Sequence, residues 1–343
     1  MRSSIILQPS GFLLSLLVGY RFLFVVSLTT SNNAPTRRDF VNTAIVGTAG
    51  LSSFQKTSWA AEENGSNIGL PFCVIGSNGK TGTKCVQDIL NRGMPVRATS
   101  RSGIYDGTES IMLEGKKKSS LLSTIVCDVT NPLTVDAAVK GTRAVIFAAS
   151  ASKQGGTPSE VDNIGLKNVA TACIANQVPH LVIVSSGGVS KPDSPVYKFL
   201  NIFGGIMEEK IKGEDTVRAM YANLKTGDAK GKESLTYTII RPGGLTEDPV
   251  RGVSEIELNQ GDTKSGRISR YDVAKLCVEA PFYPELTGST TFECYDADTG
   301  KGLGSVGVSN ILKQKSSPSE FVTGKERRGK SYKELFSGLE KDV

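Results

Sequence analysis

The sequence of 343 residues predicts an α/β domain built on a doubly wound parallel sheet and followed by a C-terminal tail. Short, nearly continuous apolar runs alternate along the chain with amphipathic helical patterns, which is typical of parallel strands buried on both faces. The first apolar run enters a helical pattern through a glycine-rich turn. With 38% hydrophobic and 22% charged residues, the composition is globular and argues against disorder, collagen or several membrane spans.

Residues 1–60 are predicted to be a targeting presequence. An apolar run over residues 11–28 follows Arg2 and is typical of a secretory signal, with a membrane anchor as the alternative. The pair Arg37-Arg38 precedes a mildly apolar stretch and the small-x-small site 58–60, which is the twin-arginine export pattern. This order resembles the layered presequences of proteins sent to the thylakoid lumen. We therefore expect a plastid location, in the lumen or alternatively in the stroma.

The net charge and the cysteine and histidine residues argue against two classes of function, nucleic-acid binding and metal binding. The formal net charge is +6, but residues 1–60 hold five basic residues and one acidic residue, so the remaining chain carries +2. A nucleic-acid partner is therefore not expected. The six cysteines form no CxxC pair and His180 is the single histidine, so no metal site is expected. The cysteines are predicted to be buried free thiols, and His180 a surface or strand-edge residue.

The first predicted unit consists of a strand at 71–75, a turn containing Gly76, Gly79 and Gly82, and a helix at 83–91. The first glycine permits a tight turn, the second lets backbone N–H groups approach a pyrophosphate, and the third allows the helix to pack on the strand. The spacing is GxxGxxG rather than GxGxxG. It predicts a dinucleotide site, with an ordinary turn between strand and helix as the alternative.

The next predicted strand, residues 95–101, carries Arg97 and Arg101 about where an NAD site places a ribose-binding carboxylate. No Asp or Glu lies between Val96 and Tyr105. An arginine at this position pairs with a 2′-phosphate, so the sequence favours NADP(H) over NAD. A solvated arginine at a strand end is the alternative.

Further strands are predicted at 123–127, 143–147, 180–184, 236–241 and 291–295, which places one domain at residues 67–312. Because the carboxyl ends of parallel strands meet at one edge, ligands bind there. The residues that map to this edge are Asp128, Val129, Ala148, Ala149, Ser185 and Ser186.

The chain carries, in order over residues 71–296, the motifs VIGSNGKTG, VRATSR, CDVT, AVIFAAS, VDNIGLKNV, HLVIVSSGGVS, YTIIRPGGLTEDP and SGRISRYDVAKLCVEA. In this order and spacing it resembles the NmrA-like group of atypical short-chain dehydrogenases/reductases. The resemblance implies a Rossmann-type fold that binds NADP(H). The implied contacts are the pyrophosphate with Gly76, Asn78, Gly79, Lys80, Thr81 and Gly82, the 2′-phosphate with Arg101 helped by Arg97, the adenine with Asp128 and Val129, the ribose with Ala148 and Ala149, and the nicotinamide with Pro242 and Gly243.

Active members of this group commonly use a Tyr-x-x-x-Lys pair together with a serine at a strand end. Ser185 or Ser186 fills the serine position, and Lys210 or Lys212 the lysine position. Neither lysine has a tyrosine four residues before it. The resemblance therefore implies one of two functions. The first is NADPH-dependent hydride transfer to an unidentified small conjugated or cyclic acceptor, with Lys210 on the ribose. The second is a non-catalytic assembly or redox-sensing factor associated with complexes of the photosynthetic, thylakoid membrane.

The segment 261–270 precedes a predicted helix and contains Arg267 and Arg270, for which contact with an anionic substrate and an internal ion pair are the two alternatives. Residues 313–343 are predicted to be a polar linker followed by a short amphipathic helix. Its apolar residues are Tyr332, Leu335, Phe336 and Leu339. This helix is expected to pack on its own domain, with docking of a partner or a membrane surface as the alternative.

Overall fold

The computed structural model describes residues 69–109, 116–152, 155–202, 204–224, 235–305 and 322–342. The predicted presequence, residues 1–60, and the predicted polar linker around 314–318 lie outside the described residues. Within the described ranges, no helix has the length and apolar character needed to cross a membrane.

The main sheet has eight strands in the order β3-β2-β1-β4-β5-β6-β11-β8. Its strands are β1 Phe72–Ile75, β2 Val96–Ser100, β3 Leu122–Val126, β4 Ala144–Phe147, β5 His180–Val184, β6 Thr236–Pro242, β8 Ile256–Asn259 and β11 Thr290–Asp296. All neighbours pair in parallel except β8, which runs antiparallel to β11. The strand order reverses between β1 and β4, which creates a topological switch point at their carboxyl ends. The predicted doubly wound parallel sheet is confirmed.

Helices cover both faces of the sheet. They are α1 Lys80–Asn91, α2 Lys116–Ser119, α3 Pro132–Val139, α4 Leu166–Ala175, α5 Pro195–Asn201, α6 Ile206–Leu224, α7 Arg270–Glu279, α8 Pro284–Thr287 and α9 Tyr332–Phe336. Phe72 and Val74 of β1 pack towards α1 and α7, whereas Cys73 and Ile75 pack towards α3, α4 and α6. Because both faces are buried, every residue of β1 is apolar, which explains the continuous apolar runs in the sequence.

The helical segment between β4 and β5 has two parts. Its first part, Ser159–Gly165, is π-helical, and α4 follows directly. A side chain at Gly213 of α6 would collide with the backbone oxygen of Asp162 in the π-helical turn. The glycine therefore allows α6 to approach this turn closely, which brings the neighbouring Lys210 to Asp162.

Two short strand pairs and the C-terminal segment complete the fold. Strand β7 Gly244–Thr246 pairs with β10 Arg267–Ser269, and β9 Lys264–Ser265 pairs with β12 Lys301–Gly302. The side chains of Leu335 and Phe336 in α9 are fully buried in the cluster that contains α1 and α7. The structure thus has the tail helix packed on its own domain.

Several buried polar side chains lie between these elements. All six cysteines are free and buried. His180, expected at the surface or a strand edge, is instead only 2% exposed, and its Nε2 lies 2.7 Å from the Thr238 hydroxyl. Burial lowers the pKa of His180 to about 3, so the ring is neutral. Because it opens β5 at the amino end, it is remote from the carboxyl edge where ligands bind.

Candidate functional site

The glycine-rich turn between β1 and α1 has the geometry that its spacing predicts. Gly76 has a φ of +81° and lies so close to β4 that an added Cβ would stand 2.8 Å from the backbone nitrogen of Ala149. An added Cβ at Gly82 would collide with the oxygen of Gly76. Ser77, fully buried, donates from its hydroxyl to Thr99 O at 2.9 Å and ties the turn to β2. The turn therefore requires glycine at two positions.

Helix α1 presents its N-terminus to this edge of the sheet. Gly79 occupies the N-cap position without a capping side chain, and the first turn contains no acidic residue. Backbone N–H groups in such a position, together with the helix dipole, favour an anion. Lys80 adds a charge there, with 74% of its side chain exposed, whereas Thr81 is buried. This arrangement suits a pyrophosphate.

Asn78 braces the loop that follows β2. Its Nδ2 donates to Ile104 O at 3.0 Å, and its Oδ1 accepts a hydrogen bond from Asp106 N, also at 3.0 Å. Both side-chain groups of the amide are thus engaged with the loop. Arg101 lies at the start of this loop and is exposed. Asn78 therefore orders the loop that carries Arg101, the residue predicted to bind the 2′-phosphate.

Arg97, predicted to help Arg101 at the 2′-phosphate, binds two backbone carbonyls in the structure. Its Nη1 donates to Ala138 O at 2.7 Å and to Lys140 O at 2.8 Å. These carbonyls end helix α3, where a cation complements the helix dipole. Arg97 is only the second residue of β2 and is held there, whereas Arg101 follows the carboxyl end of the strand. Arg97 therefore has a structural role at the end of α3, and its contact with a 2′-phosphate stays a prediction.

The predicted residues for adenine, ribose and nicotinamide all lie at the carboxyl edge. Asp128 follows β3, and its Oδ1 accepts hydrogen bonds from the backbone and hydroxyl of Thr130, so this carboxylate also stabilises the turn into α3. Val129 is 7% exposed. The residues after β4 and at the end of β6 that complete the edge are Ala148, Ala149, Pro242 and Gly243.

The two candidate serines have different partners. The Ser185 hydroxyl donates to Glu214 Oε1 at 2.5 Å, so it is engaged beneath α6. The Ser186 hydroxyl donates to the adjacent Gly187 O at 3.3 Å. Successive side chains of an extended segment point to opposite faces, which separates the two. Ser186 is the better candidate for contact with a ligand.

Beneath α6 lies a buried charge cluster that sequence reasoning did not find. Glu214 is fully buried and accepts hydrogen bonds from Arg241 Nη2 at 2.6 Å and from Arg218 Nη2 at 2.7 Å. Burial raises the pKa of Glu214, but the two guanidinium groups outweigh it and hold the pKa below its usual value. Glu214 stands four residues after Lys210, and this spacing on one helix is the signal that links it to the site.

Lys210 is held by a second carboxylate that the sequence did not single out. Its Nζ lies 2.7 Å from Asp162 Oδ1, and the exposed fractions of the two side chains are 11% and zero. Asp162 also accepts hydrogen bonds from the Ser150 hydroxyl and from Ala151 N, just after β4. Lys212, the alternative, instead bridges Glu208 and Glu209 on the exposed side of α6. Lys210 is therefore the lysine that the fold fixes at the carboxyl edge.

Tyr197, the nearest tyrosine in sequence before Lys210, lies on a different flank of α6. It lines a cavity of about 670 Å³ together with Ile211 and Arg218. These two residues lie about 100° and 80° around α6 from Lys210. The structure therefore does not bring Tyr197 into the position of a Tyr-x-x-x-Lys tyrosine.

Known proteins match the part of the chain that contains this edge of the sheet. A family model described as NAD(P)H-binding matches residues 76–284, more than half of the chain. An uncharacterised chloroplastic protein of Arabidopsis thaliana is 32% identical over 217 residues, which cover 60% of this chain and 70% of that protein. Protein TIC 62, chloroplastic, of Pisum sativum is 26% identical over 62% of this chain, but the match spans only 40% of its length.

Two further similarities concern an enzyme and a solved fold. The sanguinarine reductase of Eschscholzia californica is 35% identical over 133 residues, which cover 37% of this chain and 42% of that enzyme. The crystal structure of the oxidoreductase ylbE from Lactococcus lactis superposes with a TM-score of 0.51 at 18% identity, covering 67% of this chain and 92% of that one. The latter shows a shared Rossmann-type fold.

Proposed function

Because the chain belongs to the NAD(P)H-binding family, we propose that it is an NADPH-dependent oxidoreductase that passes hydride to a small conjugated or cyclic acceptor. The observation that carries the proposal is the joint position of three features at one edge of the sheet. These are the uncapped N-terminus of α1 behind the glycine turn, Arg101 at the end of β2, and Lys210 held by the buried Asp162.

The preference for NADPH over NADH rests on Arg101. A guanidinium group binds a phosphate with two parallel hydrogen bonds, whereas a ribose 2′-hydroxyl is usually bound by a carboxylate at this place. Arg101 is exposed at the start of the loop braced by Asn78. We expect this loop to present Arg101 to the 2′-phosphate.

The acceptor class follows from the side chains around Lys210. NADPH supplies the hydride when it is bound. The protein therefore has to bind and orient the acceptor and exclude water from the site. Asp162 neutralises the charge of Lys210 and fixes its Nζ, which leaves N–H donors for ribose hydroxyls. Since no tyrosine stands in register to donate a proton, acceptors that take hydride at a conjugated centre are favoured. The similarity to an enzyme named sanguinarine reductase supports a reductase.

A second candidate is a non-catalytic NADP-binding assembly or redox-sensing factor associated with thylakoid membrane complexes. The observation that favours it is the engagement of Ser185 with Glu214, which leaves one of the two candidate catalytic hydroxyls unavailable. Both candidates need the nucleotide site, so they differ only in turnover.

Nucleotide titration of the purified full chain tests the proposal. NADPH and NADH binding are measured by fluorescence and calorimetry, followed by a screen of quinone, flavin and enone acceptors. Tight NADPH binding with oxidation in the screen supports the reductase, and tight binding without oxidation supports the binding factor. Failure to bind either nucleotide overturns both candidates.

Arg101→Glu tests the basis of cofactor choice. It should weaken NADPH far more than NADH, because the new carboxylate repels the 2′-phosphate. Lys333→Glu changes the charge equally at an exposed position of α9 and should leave both affinities unchanged. Equal losses for the two nucleotides in Arg101→Glu would contradict phosphate recognition by this residue.

We propose a plastid location, in the thylakoid lumen by the twin-arginine route or alternatively in the stroma. The chloroplastic relatives and the Arg37-Arg38 pair support it. Import assays with isolated plastids distinguish the two compartments. Substitution of both arginines by lysine should keep a lumenal protein in the stroma and leave a stromal one where it is.

A further inference from the structure

One oxygen of Glu247 contacts two cations that begin different helices. Glu247 follows β7, and its Oε1 lies 2.8 Å from Arg270 Nη1 and 3.8 Å from Lys80 Nζ. Lys80 is the first residue of α1, and Arg270 is the first residue of α7. The sequence left contact with an anionic substrate and an internal ion pair open for Arg270, and the structure shows the internal ion pair. Because the two cations share one oxygen, they face the same small space beside the glycine turn.

The packing of α1 on α7 fixes this meeting point. One turn along α1, Lys84 Nζ lies 2.9 Å from the hydroxyl of Tyr271, the second residue of α7. The Ser269 hydroxyl donates to Asp248 O at 2.6 Å and ties the loop of Glu247 to the start of α7. Glu247 therefore reaches Lys80 because the surrounding elements place it there.

The charges around Glu247 are those of an anion site. The uncapped N-terminus of α1, Lys80 and Arg270 are all positive and lie together, whereas a pyrophosphate carries two negative charges. The Glu247 side chain is 55% exposed and that of Lys80 is 74% exposed, whereas that of Arg270 is 17% exposed, so it is the carboxylate that can leave for water. Exposed ion pairs are weak and exchange readily with solvent or another anion. A pyrophosphate and the Glu247 carboxylate would compete for the same cations.

We propose that Glu247 is a displaceable counter-ion of the pyrophosphate site. It holds Lys80 and Arg270 while the site is free and releases them to the pyrophosphate of a bound nucleotide. Arg270 thereby becomes a nucleotide-binding residue, in addition to the residues of the glycine turn. The inference rests on nucleotide binding by the proposed function and adds a competition that this function does not require.

Glu247→Gln in the full chain tests the competition by NADPH titration. The amide keeps the size of the side chain but removes its charge, so NADPH should bind about two- to fivefold more tightly at low salt. The gain should shrink at high salt, since exposed charges are screened. Adenosine 2′-monophosphate, which lacks the pyrophosphate, should bind equally to both proteins.

Two further variants separate this role from a general change in charge. Glu255→Gln removes a half-exposed carboxylate paired with Arg251 and should leave NADPH affinity unchanged. Arg270→Gln should weaken NADPH, and it should cost more in the Glu247→Gln background, where the free protein has no pair to lose.

Unchanged or weaker NADPH binding by Glu247→Gln overturns the inference, and so does an equal gain for adenosine 2′-monophosphate. These results leave the proposed function standing, provided that the wild type binds NADPH. Failure of the wild type to bind NADPH would overturn both the inference and the proposed function.

Discussion

The pair Asp162–Lys210 gives the sharpest test of how the site is built. In Asp162→Asn, the side chain keeps its shape and loses its charge. Asp162 Oδ1 accepts from Lys210 Nζ and the Ser150 hydroxyl, and Oδ2 accepts from Ala151 N. An amide has one oxygen, so its NH₂ group must face one of these donors. The variant therefore creates a donor–donor conflict beside an ammonium group that has lost its counter-ion.

The expected cost follows from burial. Asp162 is fully buried and Lys210 is 11% exposed, so the ammonium group gains little water when its partner is neutralised. Removing one member of a buried ion pair costs about 3–5 kcal/mol, and the slight exposure of Lys210 places this pair near the lower end. We expect the free energy of unfolding, measured by urea denaturation, to fall by about 3 kcal/mol. NADPH affinity should fall as well, because Nζ is no longer held in place for the proposed contact with the ribose.

The controls use the same helix. Glu208→Gln removes a carboxylate from an exposed pair with Lys212 and should change the unfolding free energy by less than about 1 kcal/mol. Lys210→Met combined with Asp162→Asn should recover part of the lost stability, because no unpaired ammonium group remains. A loss below about 1 kcal/mol for Asp162→Asn would refute the reasoning from burial. So would a double variant no more stable than the single one.

Three further predictions concern the turn, the tail and the pH dependence. Gly82→Ala should abolish detectable NADPH binding in calorimetry, because its Cβ collides with Gly76 O and displaces the phosphate-binding turn; retained binding would contradict the need for glycine. Phe336→Ala should lower the free energy of unfolding, measured in urea, by about 3–5 kcal/mol, because the Phe336 side chain is fully buried. Leu133 is 81% exposed, so Leu133→Ala should lower it by less than about 0.5 kcal/mol. Equal effects of the two substitutions would contradict the packing of the tail. Burial raises the pKa of Glu293 to about 8, so the folded protein binds a proton that the unfolded chain has released above about pH 4.5. Its contribution to stability is lost as pH rises to 8, and Glu293→Gln should flatten this slope in urea titrations at pH 6, 7 and 8; an unchanged slope would contradict the raised pKa.

The sequence predicted the order of strands and helices because a strand that is buried on both faces consists mainly of apolar residues. Strands β1 and β4 are uninterrupted apolar runs, and the glycines of the turn are required by close backbone contacts at Gly76 and Gly82. The partners of side chains left no such mark. Arg97 is an arginine near a strand end in sequence, but the carbonyls that bind it lie 41 and 43 residues further along the chain. Periodicity predicts faces, whereas such long-range contacts depend on how the faces meet.

The same limit applies to the serines. Alternation along an extended segment predicts that Ser185 and Ser186 point to opposite faces, but not that Ser185 meets Glu214, 29 residues away on α6. The π-helical turn at Ser159–Gly165 also has no signal in the apolar pattern, although it carries Asp162. The sequence therefore predicted the edge of the sheet that holds the candidate site, and the structure was needed to say which side chains are available there.

Lys210, Arg241 and the pair Lys80 and Arg270 each contact a carboxylate near this edge, and the burial of that carboxylate separates their roles. Lys210 is paired with Asp162 and Arg241 with Glu214, and both of these carboxylates are fully buried. An entering anion cannot displace them without leaving a buried charge unpaired, so these pairs fix positions. Glu247, in contrast, is 55% exposed and can move into water when a phosphate takes its place. Electrostatic competition for an entering nucleotide should therefore be concentrated at the start of α1 and α7, while the ribose end of the site is already set.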